Sequence, residues 1–178
     1  MAKWLLLAFY VQIPVVIGGV LHMLAVSRDW WPALKTPVHA RLFGANKTWR
    51  GFVLMPLLTA LGALALWPLE RALGEQAVFG PWLLAAGFCA GLAYVLAELP
   101  NSFVKRRLGI APGATPARRR ALFIALDQLD SGIGVALAYA LLPGLPPVVC
   151  LLYALTFPLT ALAVKRLLFM ARLKQSAV

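Results

Sequence analysis

Acidic residues are scarce in this chain: 6 Asp and Glu stand against 17 Lys and Arg, a formal net charge of +11. Charged residues of both signs make up only 13%, where a soluble domain has about one quarter. That shortage excludes an ordinary water-soluble fold. With 62% of its 178 residues hydrophobic, such a fold would leave a large apolar surface in water. Cysteine is nearly absent. Cys89 and Cys150 lie in apolar runs with no CxxC or Cys/His neighbour, so neither a zinc site nor a disulfide framework is expected, and both read as buried thiols. The two histidines, His22 and His39, form no paired motif, which speaks against a histidine-based lipid phosphatase. Internal repeats and low-complexity tracts are also missing.

What is present is a series of long apolar runs. A hydrocarbon core about 30 Å thick needs roughly 20 helical residues. Five runs fit: 4–26, 51–69, 79–99, 121–142 and 147–168. The first is longer than the apolar stretch of about 7–15 residues in a signal peptide, and only Lys3 precedes it, so it reads as a retained span. The expectation is one all-α integral membrane domain over 1–178, with about five transmembrane helices and two long basic loops, 27–50 and 100–120. Of the 17 basic residues, 15 lie in those loops and the C-terminal tail, among them Arg118, Arg119, Arg120, Arg172 and Lys174. Lys3 and Arg71 alone lie on the other side. The positive-inside rule then puts the N-terminus out and the C-terminus and both loops in the cytoplasm, in a multi-pass protein of the inner cell membrane. Trp4, Trp67 and Trp82 fall at the outer helix ends, and Trp30, Trp31 and Trp49 at the inner ends, as interfacial indoles should. Trp30 and Trp31 also suit a short helix lying in the inner interface. Basic segments tied to one membrane face do not form a nucleic-acid footprint, so membrane lipids are expected as neighbours and nucleic acid is not.

Three segments carry more than a tether needs. Residues 42–51 (LFGANKTWRG) gather Gly44, Asn46, Lys47, Thr48 and Arg50 at the start of the second span. Free N–H groups at a helix start attract phosphate, and arginine grips phosphate oxygens in pairs. A simple positive-inside anchor is the alternative, but it needs only charge. Residues 98–107 (ELPNSFVKRR) set Asn101 and Ser102 beside Lys105, Arg106 and Arg107. Attraction to anionic headgroups, about 1 kcal/mol per charge, is the plainer reading; two polar donors at a helix end suggest something more specific. Residues 109–116 read as a loop. The third segment lies inside the fourth apolar run, where Asp127 and Asp130 are spaced i and i+3 and share one helix face. Carboxylates in hydrocarbon are costly unless paired or hydrated, and two together repel. A divalent cation relieves both costs, and Mg²⁺ favours one or two carboxylates plus substrate phosphates. An ion pair with Arg118 to Arg120 is the structural alternative. Gly132 and Gly134 allow close helix packing. Gln12 and His22 read as interhelical hydrogen bonders. His39 is a loop or a substrate contact, and Glu98 a partner for a basic residue or an aid to the metal.

Two carboxylates, several cations and a glycine turn at the membrane face suit phosphoryl or nucleotidyl transfer to a lipid phosphate. The strings FG…KTWRG (43–51), NSF…KRR (101–107) and DQLD (127–130) resemble the CDP-archaeol synthase family, relatives of phosphatidate cytidylyltransferase. The resemblance runs in order over nearly the whole chain. It implies a Mg²⁺-dependent reaction of CTP with a lipid phosphate to give a CDP-lipid and pyrophosphate. By motif, Asp127 and Asp130 would hold Mg²⁺ and, with Lys47 and Lys105, form the catalytic set. Gly44, Asn46, Thr48, Arg50, Asn101, Ser102, Arg106 and Arg107 would bind the nucleotide and the phosphates. Residues 34–41 contain no Asp and no Gly, unlike the acidic, glycine-containing stretch of archaeal members. The lipid therefore stays open between a phosphatidate-like ester and the archaeal ether lipid. A homodimer is a candidate assembly. The competing reading is a non-enzymatic protein that binds or moves anionic lipid or another anion. A CDP-alcohol phosphotransferase would need a longer aspartate array, which is absent.

Overall fold

The structure, a computed structural model, describes residues 1–114 and 120–170, with Arg120 described in its backbone only. Arg118, Arg119, Arg172 and Lys174 lie outside the described residues, as does the side chain of Arg120, so the ion pair considered for Asp127 and Asp130 with Arg118 to Arg120 falls there too.

The described chain is helical, with one isolated bridge between Pro37 and Thr48. Its α-helices are α1 (Ala2–Tyr10), α2 (Ile13–Ser27), α3 (Ala40–Phe43), α4 (Trp49–Leu64), α5 (Trp67–Leu73), α6 (Leu83–Arg107), α7 (Arg120–Leu141) and α8 (Pro147–Met170). Among the described residues, four stretches are long and apolar enough to cross a membrane: Ala2–Ser27, Gly80–Arg107, Ala121–Leu141 and Pro147–Met170. A fifth crossing results if the pair Trp49–Leu64 and Trp67–Gln76, bent by 48°, counts as one.

Proline places the breaks. It has no N–H, and its ring clashes with the carbonyl four residues back. Pro14 opposes Tyr10, where α1 ends, and Pro68 opposes Leu64, where α4 ends. The expected continuous span over 51–69 is therefore a bent pair. The third span also differs from its expected end at residue 99: α6 runs through Pro100 to Arg107. Residues 100–107, expected in a loop, are two further helical turns. The expected interfacial helix near Trp30 and Trp31 is a single 3₁₀ turn, Pro32–Lys35, which follows them.

The packing order runs from α2 to α4, α4 to α6, α6 to α7, α7 to α8, and α8 back to α1. Leu57, Leu61, Leu137, Leu151, Leu155 and Leu159 point outwards, which is tolerable only against acyl chains. Inside, Tyr139 and Tyr153 sit edge to face at 5.7 Å and Tyr153 stacks on Phe157 at 5.4 Å. Gln12, at the α1–α2 break, donates to Thr156 Oγ1 on α8 at 2.8 Å, the interhelical bond expected of it. At the end of the bundle away from the basic residues, buried Glu70 accepts from the N–H groups of Phe79 and Gly80 at 2.8 and 2.9 Å, and also from Tyr10 Oη. This ties down the chain entering α6.

The contact between α6 and α7 positions the site, and Gly134 permits it. A Cβ there would lie 2.7 Å from the carbonyl oxygen of Ala93, backbone that cannot yield. At Gly132 the nearest atoms, at 3.1 Å, belong to the Phe157 ring. Gly134→Leu is expected to destabilise the fold by about 1–3 kcal/mol, seen as a lower melting temperature in detergent. Gly132→Ala should have the smaller effect, because a side chain can shift.

Candidate active site

The extra turns of α6 carry the polar residues. Glu98, Asn101, Ser102 and Lys105 follow the i, i+3, i+4, i+7 spacing of one helix face. That face meets Asp127, Asp130 and Ser131 of α7. The Asn101 amide donates to Asp127 Oδ1 at 2.6 Å and to Asp130 Oδ2 at 2.9 Å, so one donor gathers both carboxylates. Lys105 Nζ donates to Asp127 Oδ1 and also lies 5.9 Å from the Phe123 ring centroid. Ser131 Oγ donates to Glu98 Oε1 at 3.3 Å.

The 42–51 segment brings Lys47 to the same place, where its ammonium pairs with Glu98. Its backbone is clamped: Val38 N–H donates to the Lys47 carbonyl at 2.8 Å and Trp49 N–H to the Thr36 carbonyl at 3.0 Å. From α8, Lys165 Nζ donates to Gln128 Oε1 at 2.9 Å.

These groups enclose a polar cavity of about 350 Å³. Among the described residues its walls carry four cations, Lys47, Lys105, Arg106 and Lys165, and three carboxylates, Glu98, Asp127 and Asp130. Asn46 and Ser102 also line it. Arg106 is informative. Its Nη2 donates to the Ala111 carbonyl at 3.2 Å, while Nε and Nη1 are buried with no partner among the described residues. Buried guanidinium donors left unpaired are costly, and phosphate oxygens match their geometry.

The other expected residues stand apart from the cavity walls. Asn101 lies between the two carboxylates. Arg50 is buried against Asp29 Oδ1 at 3.0 Å and the Trp30 carbonyl at 3.3 Å. Lys35, at 2.5 Å, and Arg50 hold the exposed Asp29 carboxyl below the usual carboxylate range. Thr48 bridges to Pro37, and Gly44 takes φ 95°, the conformation that closes the turn. Arg107 lies over the Phe103 ring at 5.1 Å. His39 accepts from the Leu42 N–H at the start of α3. Gln128, Ser131 and Lys165 were not singled out by sequence as site residues. Gln128 lies within the DQLD string, and Lys165, near the inner end of the expected 147–168 span, joins the site only through its bond to Gln128.

The donor set fits Mg²⁺. It consists of hard carboxylate oxygens on adjacent turns of α7, gathered by one amide. Among the described residues no three His, Cys, Asp or Glu side chains converge to make a protein cage. A cation held by two carboxylates and completed by phosphate oxygens and water is the arrangement Mg²⁺ prefers.

The chain is 37% identical over 131 residues to a CDP-archaeol synthase of Hyperthermus butylicus, covering 73% of this chain and 67% of that protein. It is 34% identical over 142 residues to one of Halorubrum lacusprofundi, covering 77% and 69%. It is 39% identical over 108 residues to one of Methanopyrus kandleri, covering 60% of this chain and about half, 53%, of that relative. No family model and no solved structure matches the chain.

Proposed function

Because the chain belongs to the CDP-archaeol synthase family, we propose that its polar cavity transfers CMP from CTP to a lipid phosphate, giving a CDP-lipid and pyrophosphate. The observation that carries this reading is the meeting of four cations and three carboxylates in one cavity at the end of an apolar helical bundle. A triphosphate and a phosphate must be held together there, and the acceptor lives in the membrane. The concentration of basic residues supports a cytoplasmic opening in the inner membrane, where CTP is available.

Two of the cavity's ion pairs join its cations to its carboxylates: Lys47 pairs with Glu98, and Lys105 with Asp127. A triphosphate offers both lysines a denser negative charge, and their departure frees the carboxylates. Asp127 and Asp130 would then hold Mg²⁺, which when bound neutralises phosphate charge and makes the α-phosphorus more electrophilic. Asn101 keeps the two carboxylates side by side. Lys47, Lys105 and Arg106 draw the β- and γ-phosphates away from the α-phosphorus. A lipid phosphate oxygen attacks that phosphorus, the bond to the bridging oxygen breaks, and its electrons leave with pyrophosphate. A phosphate monoester has its second pKa at about 6, so no proton need be removed before attack. This agrees with a cavity whose described lining has no histidine.

The test is purified protein with CTP, Mg²⁺ and a panel of lipid phosphates, both phosphatidates and archaeal-type ether lipids, with products read by mass. A CDP-lipid and equimolar pyrophosphate are expected. Lipid binding without CTP consumption, unchanged by Asp127→Asn, would make this an anionic-lipid binder instead. In the same assay Lys47→Ala is expected to raise the KM for CTP about tenfold, a loss of ~1.4 kcal/mol, and unchanged CTP dependence would remove Lys47 from the nucleotide site.

A further inference from the structure

Of the four cations described in the cavity wall, the reaction above gives tasks to Lys47, Lys105 and Arg106. The fourth, Lys165, comes from α8 and meets α7 at Gln128, whose Oε1 accepts from its Nζ at 2.9 Å. Both side chains line the cavity. The helix between them presents two working faces. Asp127, Asp130, Ser131 and Gly134 recur at helical spacing and share one face. That face meets α6: the two carboxylates at Asn101, Ser131 at Glu98 and Gly134 at the Ala93 backbone. Gln128, Gly132 and Tyr139 lie further round the helix and meet α8, at Lys165, Phe157 and Tyr153.

Gln128 is only 4% exposed. A buried amide is costly unless it is bonded. The partners of Gly132 and Tyr139 on the same face are aromatic rings, so contact with α8 does not itself ask for a polar group. The bond to Lys165 does. An ammonium has donors and no acceptor, so the amide oxygen must face it. The kind of acceptor matters too. Lys47 meets the carboxylate of Glu98, and Lys105 that of Asp127, bonds that offset charge. Gln128 holds its ammonium with a neutral oxygen, a bond that offsets none. A lysine head rides on a flexible four-carbon stem, and a head already held in place loses less freedom when it meets a ligand.

We infer that Gln128 is a positioning residue, which holds the Lys165 ammonium at the cavity wall with its charge intact so that it binds a phosphate group. One helix then organises both kinds of group the site needs: carboxylates on the face toward α6, and an anchored cation on the face toward α8. That the phosphate belongs to CTP or to a lipid rests on the reading in the preceding subsection; the phosphate chemistry is common to both, and the test separates them. A glutamate at 128 would offer the same oxygen and cancel the charge, so the amide itself is the functional choice.

The test is equilibrium binding and needs no turnover. Labelled CTP with Mg²⁺ and no lipid, and labelled phosphatidate with no CTP, are titrated against wild type, Gln128→Leu, Gln128→Glu, Lys165→Met and the double variant Gln128→Leu/Lys165→Met. Lys165→Met is expected to weaken one of the two ligands about tenfold, and Gln128→Leu the same ligand about fivefold. The ligand that moves shows whether Lys165 serves the nucleotide or the lipid. The double variant should match Lys165→Met, because a residue that acts through another adds nothing once that other is gone. Gln128→Glu keeps the acceptor oxygen, yet should weaken the same ligand at least as much as Gln128→Leu; an amide with a purely structural role would be rescued by it. Unchanged affinity for both ligands in either single variant Gln128→Leu or Lys165→Met would overturn the proposal. So would a double variant weaker than Lys165→Met by the full Gln128→Leu factor, or wild-type affinity in Gln128→Glu. The expected binding pattern in a protein that makes no CDP-lipid would uphold the role of Gln128 and remove the cytidylyltransferase reading.

Discussion

Asp127→Asn is expected to lower kcat on the order of 10³-fold while the protein still inserts, folds and purifies like wild type. The substitution keeps the shape of the side chain and its acceptor oxygen toward Asn101 or Lys105, but removes the negative charge. Asp127 is the carboxylate with the most at stake, because Asn101 and Lys105 both donate to the same oxygen. Without that charge Lys105 loses its resting partner, and a divalent cation loses one of two anionic ligands. Asp130→Asn should cost a comparable factor through the second ligand. Here the Asn101 amide and the Ser131 N–H, at 2.9 and 2.6 Å, keep the side chain in place. The double variant should be little worse than either single one, since groups that act as a unit are not additive. Steady-state kinetics of the three variants, normalised to folded protein by gel filtration in detergent, decides this. Full activity in either single variant would remove that residue from the reaction.

Lys105→Ala carries the second largest expectation, a loss of about 10²-fold in kcat/KM for CTP, equivalent to ~3 kcal/mol. This side chain is buried between Asp127 and the Phe123 ring. It is therefore already desolvated when it turns to phosphate, and a desolvated charge acts more strongly than one in water. Lys105→Arg should restore part of the loss, because the charge returns on a larger, planar head. Lys105→Met should restore none, although it fills the volume. Equal activity in the Met and Arg variants would mean that Lys105 packs and does not bind phosphate. The comparison is read from CTP titrations at saturating lipid.

Much of this was legible in the amino-acid sequence, for reasons that differ by residue. The apolar runs announced the helices because hydrocarbon tolerates little else. Asp127 and Asp130 stood out because a carboxylate in such a run needs a reason. The bend after Leu64 falls where the ring of Pro68 opposes the Leu64 carbonyl, although the same feature leaves α6 unbroken at Pro100. The length of α6 was harder. Hydropathy marks where lipid contact ends, not where a helix ends, and α6 continues where Glu98, Asn101 and Lys105 find partners on α7. Their spacing was the available signal. Lys165 was harder still. As one basic residue near a basic tail, it acquires a role only when α8 turns it towards Gln128. Arg50 belongs to a string that suggests phosphate binding; in the structure its Nη1 bonds Asp29 and the Trp30 carbonyl, while its buried Nε has no partner among the described residues.

On this reading the carboxylates of α7 hold a divalent cation jointly with the triphosphate. The most direct measurement is Mn²⁺ binding followed by electron paramagnetic resonance, in wild type and Asp127→Asn, with and without CTP and without lipid. Wild type alone is expected to bind Mn²⁺ weakly, with binding tightened at least tenfold by CTP and no such tightening in the variant beyond what CTP binds in solution. Equal Mn²⁺ affinity in wild type and variant, or CTP binding indifferent to the cation, would contradict it.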